Sequence, residues 1–341
     1  MAGSDHQAVT HARTGSVASR VWPRLRTHWI TLIGVGAVVG LIVAVNPTKV
    51  AKALSGADIG LLAWMLPVVL LLYVMRGLSW SIVLRGARQR VGLEQAIRVT
   101  FISQAFVFLP GGDLWRVPIV KSDDGEPTNA GVITATVVFD DLVYLFVLTF
   151  AMVPVVLRTP VLVIPLAIAL VPQLVIFAIL LSPAVYRFLA ARVTRLRVFR
   201  RFQPELELLG PAFRTLVRAR VLLPVVMVDI AAVVLSIALF ALGLAAVHAT
   251  GIDGPHVAYT YAASQVVTNL TVLPGALGAY EGMMTGAMAL QGVAPAAAAG
   301  GALVYRVAND VFMALLGLGI AFAFDREYLR AFRRTPEKAV S

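Results

Sequence analysis

Residues 221–247 read VLLPVVMVDIAAVVLSIALFALGLAAV, and only one of these 27 side chains, Asp229, is charged. An α-helix rises about 1.5 Å per residue, so this segment would extend about 40 Å. The hydrocarbon core of a bilayer is only about 30 Å thick. A stretch of this length and composition is typical of a membrane-spanning helix. The segment therefore predicts an integral membrane protein.

The composition of the whole chain supports the same interpretation. Of its 341 residues, 59% are apolar and 14% are charged, whereas soluble domains carry roughly 25% charge. The 29 Lys and Arg outnumber the 18 Asp and Glu, which would also suit a nucleic-acid-binding protein. The basic residues, however, lie in short stretches between apolar runs, as in cytoplasmic loops. We therefore expect no nucleic-acid partner. With no cysteine, disulfides and thiolate metal sites are excluded.

The chain contains other apolar runs of similar length. The six predicted spans are residues 29–45, 61–84, 130–157, 161–181, 221–247 and 297–324. Residues 1–28 form a basic tail that we expect to be cytoplasmic and disordered. The run after this tail is interpreted as a retained span and not as a cleaved signal peptide, because Asn46-Pro47 is a poor cleavage site.

Two shorter apolar stretches, residues 93–109 and 257–273, both end in Leu-Pro-Gly. The basic connector at 183–220 and the basic tail at 325–341 are both predicted to be cytoplasmic. These assignments agree if each short stretch turns back to the side from which it enters. The predicted fold is an all-α polytopic membrane protein over residues 29–324, with six full spans and two opposed re-entrant helical hairpins in an inverted repeat. Eight plain transmembrane helices are the alternative.

Several charged residues fall within predicted spans, where each costs about 2.5–3.5 kcal/mol on insertion scales. Asp140 and Asp141 lie near the middle of one span, and Asp229 lies near the middle of another. Adjacent helical residues project about 100° apart, so we expect that Asp140 and Asp141 do not face one partner. Arg306 and Asp310 are spaced i, i+4 and are predicted to share a helix face.

Charged residues also follow both Leu-Pro-Gly breaks. Asp113 and Arg116 follow the first, and Glu281 follows the second. Broken helices that meet near the midplane are typical of transporters, because unwound backbone is tolerated there only beside protein or water. We expect Arg116 and Arg306 to neutralise some of the acids and to line a central polar cavity; ion pairs that only lock helices together are the alternative. Arg76 is interpreted as snorkelling to the interface.

The stretch from Leu109 to Arg116, LPGGDLWR, and the later LPGALGAYEG at 273–282 with Tyr305-Arg306 resemble the flippase-like membrane family. That family is typified by the membrane domain of lysylphosphatidylglycerol synthases. The resemblance covers about residues 30–324 and does not include the aminoacyl-transferase half of those enzymes. It implies a membrane domain that moves, or helps to move, an anionic or modified lipid between leaflets.

The resemblance implies a substrate-binding or translocation role for residues at both motifs, namely Gly112, Asp113, Arg116, Pro274, Gly278, Glu281 and Arg306. The intramembrane charges Asp140, Asp141 and Asp310 complete the predicted site. The sequence departs from the family where Asp140-Asp141 stands in place of an acid followed by Arg, which removes a cation. Lysyl transfer is not expected.

The sequence lacks a nucleotide-binding Gly-x-x-x-x-Gly-Lys loop, a Gly-x-Ser-x-Gly elbow and a His-Glu-x-x-His motif. We therefore expect no enzymatic activity, cofactor or metal. The favoured function is translocation of an anionic, aminoacylated or polyprenyl-linked lipid headgroup across the bacterial cytoplasmic membrane, with both chain termini in the cytoplasm.

Two alternatives remain open. The first is an intramembrane enzyme of polyprenyl-phosphate glycolipid metabolism, with Asp140 or Asp141 as base or metal ligand. The second is a non-transporting membrane partner that anchors a lipid-modifying or cell-envelope synthase through the connector at 183–220. The expected partners are membrane phospholipids or polyprenyl lipids, with anionic headgroups at the connector.

Overall fold

The computed structural model describes residues 47–107, 112–121, 128–159, 162–196, 200–249, 251–270 and 279–324. Within these ranges the chain forms helices and no β-strand. In chain order the α-helices are α1 (Pro47–Ser55), α2 (Ile59–Gly86), α3 (Leu93–Ser103), α4 (Arg116–Ile119), α5 (Ala130–Phe150), α6 (Val153–Val156), α7 (Val163–Leu181), α8 (Pro183–Val193), α9 (Gln203–Leu216), α10 (Ala219–Ala246), α11 (Gly254–Leu270), α12 (Ala279–Leu290), α13 (Pro295–Arg306) and α14 (Phe312–Phe324).

Five helical segments of the described chain are long and apolar enough to cross a membrane. They are α2, the pair α5–α6, α7, α10 and the continuous segment formed by α13 and α14. Their ends lie within two residues of five of the six predicted spans, so the prediction of an all-α membrane protein is confirmed. The remaining predicted span, 29–45, and the two tails, 1–28 and 325–341, lie outside the described residues.

Two of these segments are interrupted, although the sequence analysis treated both as unbroken helices. The first turns at residues 151–152, before Pro154. Proline has no backbone N–H to continue the helix, but it fits the first turn of a new one. The last segment contains a π-helical turn at Val307–Val311, between α13 and α14. Single π-helical turns occur frequently at functional sites, and this one contains Asp310.

The helix α11 and the helix that follows it form an antiparallel hairpin. The side-chain amide of Gln265 lies 3.5 Å from the hydroxyl of Tyr280, at the start of α12. At the other end, Gln291 donates a hydrogen bond of 2.9 Å to Thr260. Helices of 17 and 12 residues extend about 26 and 18 Å, less than the roughly 30 Å of hydrocarbon. These lengths favour the re-entrant interpretation, although the second Leu-Pro-Gly lies outside the described residues.

The chain also reverses after α3. A 3₁₀ turn at Gln104–Phe106 ends this helix, and a second one at Gly112–Trp115 leads into α4. The rings of Phe106 and Trp115 stack with centroids 5.2 Å apart, which holds the two turns side by side. The contact places the turn before α4 beside the end of α3, and the re-entrant path of the first hairpin stays a prediction. The number of full spans stays a prediction, because residues 29–45 and the first Leu-Pro-Gly lie outside the described chain.

Helix α14 packs directly on the backbone of the first hairpin. A Cβ atom on Gly317 would collide with the carbonyl oxygen of Phe101 and lie 3.1 Å from the amide nitrogen of Ala105. Glycine at this position lets the two backbones approach closely, as small residues do in membrane helix interfaces. The last span and the first hairpin are therefore held together.

The basic connector is helical, and its two helices pack on each other. The hydroxyl of Tyr186 on α8 donates a hydrogen bond of 2.5 Å to the carbonyl oxygen of Leu206 on α9. A cleft of about 650 Å³ lies between the two helices, with Arg187 and Arg214 in its lining. The presence of anionic headgroups beside this connector stays a prediction.

Candidate functional site

One charged cluster forms where α2, the first hairpin and α5 meet; we call it the first cluster, and it consists of Arg76, Asp113, Arg116, Asp140 and Asp141. Nη2 of Arg116 lies 2.8 Å from Oδ1 of Asp113, and its Nη1 lies 3.2 Å from Oδ2 of Asp140. Nη2 of Arg76 lies 2.8 Å from Oδ1 of Asp141, 3.6 Å from Oδ2 of Asp113 and 3.7 Å from Oδ2 of Asp140. The cluster therefore joins two cations and three acids from three parts of the chain.

The structure corrects two predictions about this cluster. Asp140 and Asp141 do share a partner, because the guanidinium of Arg76 reaches the carboxylates of both residues. Arg76 does not snorkel to the interface, since only 8% of the residue is exposed. It stands ten residues before the end of α2, about 15 Å along the helix. Arg76 thus supplies from a neighbouring helix the cation that the Asp140-Asp141 sequence lacks.

Neutral side chains hold the first cluster in place. Ser79, one turn after Arg76, donates a hydrogen bond of 2.7 Å to Oδ1 of Asp140. The guanidinium carbon of Arg76 lies 4.2 Å from the ring centroid of Tyr144, and that of Arg116 lies 5.3 Å from the ring of Trp80. Cation–π contacts of this kind are strongest where water is excluded. The two arginines are therefore fixed by aromatic faces as well as by carboxylates.

A second cluster, consisting of Glu281, Arg306 and Asp310, lies between α12 and the last span. Nη1 of Arg306 lies 3.1 Å from Oε1 of Glu281, and its Nε lies 2.7 Å from Oδ2 of Asp310. The predicted pairing of Arg306 with Asp310 is thus present, and the π-helical turn carries the acid. The ring centroid of Tyr280 lies 5.5 Å from the guanidinium carbon of Arg306.

Aromatic and amide side chains connect the two clusters. The hydroxyl of Tyr73 donates a hydrogen bond of 3.1 Å to Gln104, whose amide nitrogen lies 3.5 Å from Oδ1 of Asp113. Tyr73 is also within electrostatic reach of both Asp113 and Asp310. The hydroxyl of Tyr305, next to Arg306, donates a hydrogen bond of 3.2 Å to the Tyr261 hydroxyl. The charged groups of the two clusters therefore belong to one polar region inside the helical bundle.

The most exposed charged side chains of both clusters are acids, whereas the acids Asp140 and Glu281 are almost completely buried. The exposed fraction of the side chain is 27% for Asp113 and 34% for Asp141, but only 10% for Arg76 and 1% for Arg116. In the second cluster, Asp310 is 14% exposed and Arg306 is 7% exposed. The first cluster counts three acids against two cations, and the second counts two against one. The most exposed charged group of each cluster is therefore a carboxylate, Asp141 in the first cluster and Asp310 in the second.

Asp229 on α10 lies beside the first cluster. The residue is completely buried, and neither of its carboxylate oxygens has a hydrogen-bond partner within the described part of the chain. Its electrostatic neighbours include Asp140, Asp141 and Arg76. The sequence analysis noted its depth but left it out of the predicted site.

The remaining predicted site residues are only partly described. Gly112 begins the 3₁₀ turn that carries Asp113, whereas Pro274 and Gly278 lie outside the described residues. Among the described residues, no group of three His, Cys, Asp or Glu side chains could hold a metal ion. The structure brings together Asp113, Arg116, Asp140 and Asp141 in one cluster and Glu281, Arg306 and Asp310 in the other. Their role in binding stays a prediction.

Membrane-length helices that enclose two clusters of ionisable side chains define a polytopic membrane protein with a polar site inside its helical bundle. The chain belongs to the family described as the lysylphosphatidylglycerol synthase TM region, which matches residues 31–317. This match confirms the resemblance found in the two Leu-Pro-Gly motifs, and it places the chain among membrane domains associated with lipid modification or translocation. No curated protein matches the sequence significantly.

Proposed function

We propose that this protein translocates a lipid headgroup between the leaflets of the bacterial cytoplasmic membrane, with both chain termini in the cytoplasm. The observation that carries the proposal is the pair of buried, linked charged clusters between membrane-length helices. Ionised groups at this depth are costly and mark substrate or ion pathways in membrane proteins. Two hairpins that bring polar side chains inward, as in inverted-repeat transporters, add support.

The charges favour one headgroup class among the anionic, aminoacylated and polyprenyl-linked lipids considered. Asp113, Asp141 and Asp310 are the most exposed members of their clusters, and a carboxylate attracts an ammonium group and repels a phosphate. We propose that these acids bind an amine on the headgroup. The more deeply buried Arg116 and Arg306 hold the acids in position.

The proposal assigns translocation and not catalysis to the protein. Asp140 and Asp141, the residues considered for a catalytic base, are both engaged by the guanidinium group of Arg76. The headgroup would move by passing from one cluster to the other through the tyrosine-lined region around Tyr73 and Tyr261.

Reconstitution into liposomes tests the proposed function. Vesicles would carry a lipid labelled on an amine-bearing headgroup, and the loss of label accessible from outside would be followed in time. The protein is expected to accelerate this loss over empty vesicles. Arg306→Ala and Glu281→Ala should abolish the acceleration, because each breaks the second cluster. No acceleration with amine-bearing, anionic or polyprenyl lipids would contradict the proposal.

A non-transporting partner of a synthase would give no acceleration in these vesicles, and its variants would be scored by synthase activity in cells. In that alternative only the basic connector would matter. Exchange of the exposed Arg187 and Arg192 on α8 for glutamine should then remove synthase activity. The Arg306 and Glu281 variants should retain that activity. The translocator proposal predicts the opposite ranking.

A further inference from the structure

Asp229 is a buried acid that the proposed headgroup site does not use. It lies in the middle of α10, with 0% of the residue exposed. Ser79 on the facing helix is a neutral donor beside Asp229, and its hydroxyl donates to Asp140 at 2.7 Å. A hydroxyl carries a single hydrogen, so it does not serve both acids at once. Neither carboxylate oxygen of Asp229 has a hydrogen-bond partner among the described residues, and a buried charge without such a partner is costly.

The groups that face Asp229 come from two neighbouring helices. Helix α2 contributes Arg76 and Ser79, and helix α5 contributes Asp140 and Asp141. Helices α11 and α13 also pack on α10, where the rings of Tyr261 and Tyr305 lie 6.0 and 5.7 Å from Phe240. That contact is eleven residues, about three turns, further along α10. The charged surroundings of Asp229 are therefore those of the first cluster.

The balance of charge in this region is unfavourable to a further anion. Arg76 and Arg116 already face Asp113, Asp140 and Asp141, so an ionised Asp229 would make four carboxylates against two guanidinium groups. Like charges a short distance apart in a dry environment disfavour ionisation, as burial does. A neutral carboxyl group at Asp229 avoids both costs.

We propose that Asp229 is a proton-binding site, which holds a proton while the first cluster is empty and releases it when a cationic amine binds beside Asp113 and Asp141. The inference rests on the proposed amine-bearing headgroup. On release, the O–H bond of the carboxyl group breaks, the proton passes to water at the exposed face of Asp141, and the carboxylate retains the electron pair. The incoming ammonium replaces the charge of the departing proton, so the cluster keeps its total charge.

This exchange couples headgroup binding to protons. By linkage, if the amine favours release of the proton, then the proton weakens binding of the amine by the same factor. A transmembrane proton gradient would then bias headgroup movement. The sequence shows no nucleotide-binding loop, so this coupling would not require nucleotide hydrolysis. Asp229 would thus couple headgroup movement to the energy of the proton gradient.

Infrared spectroscopy of the reconstituted protein tests whether Asp229 is protonated in the absence of ligand, and it requires no transport. The difference spectrum between the wild type and Asp229→Asn should contain the carbonyl stretch of a protonated carboxyl group at neutral pH. Asp253→Asn is the matched control, because Asp253 is exposed and outside the spans and asparagine also caps helices well. Its difference spectrum should contain carboxylate bands. Carboxylate bands in the Asp229→Asn spectrum would overturn the proposal.

Proton release on ligand binding tests the exchange itself. Short-chain phosphatidylethanolamine, which carries an amine, would be added to the detergent-solubilised protein in weak buffer, with phosphatidylglycerol as the amine-free comparison. The wild type should release about one proton per bound phosphatidylethanolamine, and Asp229→Asn should bind it with no release. Binding without release in the wild type, equal release in the variant, or no binding would each overturn the proposal.

Different results would refute the proposed headgroup translocation and the proposed proton site at Asp229. A protein with the protonated band and the ligand-linked release that moves no headgroup across vesicles refutes translocation but leaves the proton site intact. A protein that moves headgroups equally fast in the wild type and in Asp229→Asn, with no effect of a pH gradient on either, refutes the proton site alone.

Discussion

Exchange of Arg76 for methionine is expected to destabilise the protein strongly, because Arg76 is the cation that three aspartates share. Methionine replaces the aliphatic part of the arginine side chain and carries no charge. Its substitution would leave Asp140, which is fully buried, with Arg116 as its remaining cation. Removing one member of a buried ion pair typically costs about 3–5 kcal/mol, since the partner stays buried and uncompensated. We expect a loss within that range in the free energy of unfolding.

The assay is reversible unfolding in mixed micelles, followed by circular dichroism, with Arg85→Met as the control. Arg85 lies on the same helix, is exposed, and occupies its last turn, so its exchange should change stability by less than about 0.5 kcal/mol. Adding Asp141→Asn to Arg76→Met should recover part of the loss, because one unpaired charge is removed. Equal stabilities for the Arg76 and Arg85 variants would refute the ion-pair account and return Arg76 to a snorkelling role.

Two further predictions concern packing and pH. Gly317→Ala should cost about 1–3 kcal/mol, because its Cβ would meet the backbone of Phe101, whereas Gly319→Ala meets nothing described within 4 Å and should be neutral in the same unfolding assay. The backbone N–H and ring of His256 hold the pKa of Asp253 below its usual range. Its contribution is therefore present at neutral pH and lost as pH falls through that lowered pKa, so unfolding of the wild type and Asp253→Ala should differ at neutral pH and converge in acid.

The membrane spans were predictable because a run of apolar residues of sufficient length has few other stable structures. Five described spans end within two residues of their predicted limits. The interruptions were harder to predict. Pro154 carries a signal for the break after α5, but Val307–Val311 contains no proline or glycine. Its π-helical turn contains Asp310, which pairs with Arg306.

The ion pairs within the two clusters were only partly predictable from the sequence. The i, i+4 spacing of Arg306 and Asp310 fixes a shared face within one helix. The shared partner of Asp140 and Asp141 is Arg76 on α2, which lies 65 residues before Asp141 in the chain. A long, flexible arginine side chain can reach both carboxylates, although adjacent helical positions project about 100° apart. The depth of Arg76, ten residues from the end of its helix, was the available signal.

The central claim is that carboxylates exposed between the membrane helices bind a headgroup amine. Its most direct test is the rate at which proteoliposomes move an amine-labelled lipid, compared between the wild type and a variant with Asp113→Asn and Asp141→Asn. These are the two most exposed acids of the first cluster. The account predicts that a variant that remains folded loses most of the wild-type acceleration. An unchanged rate in the folded variant would contradict it.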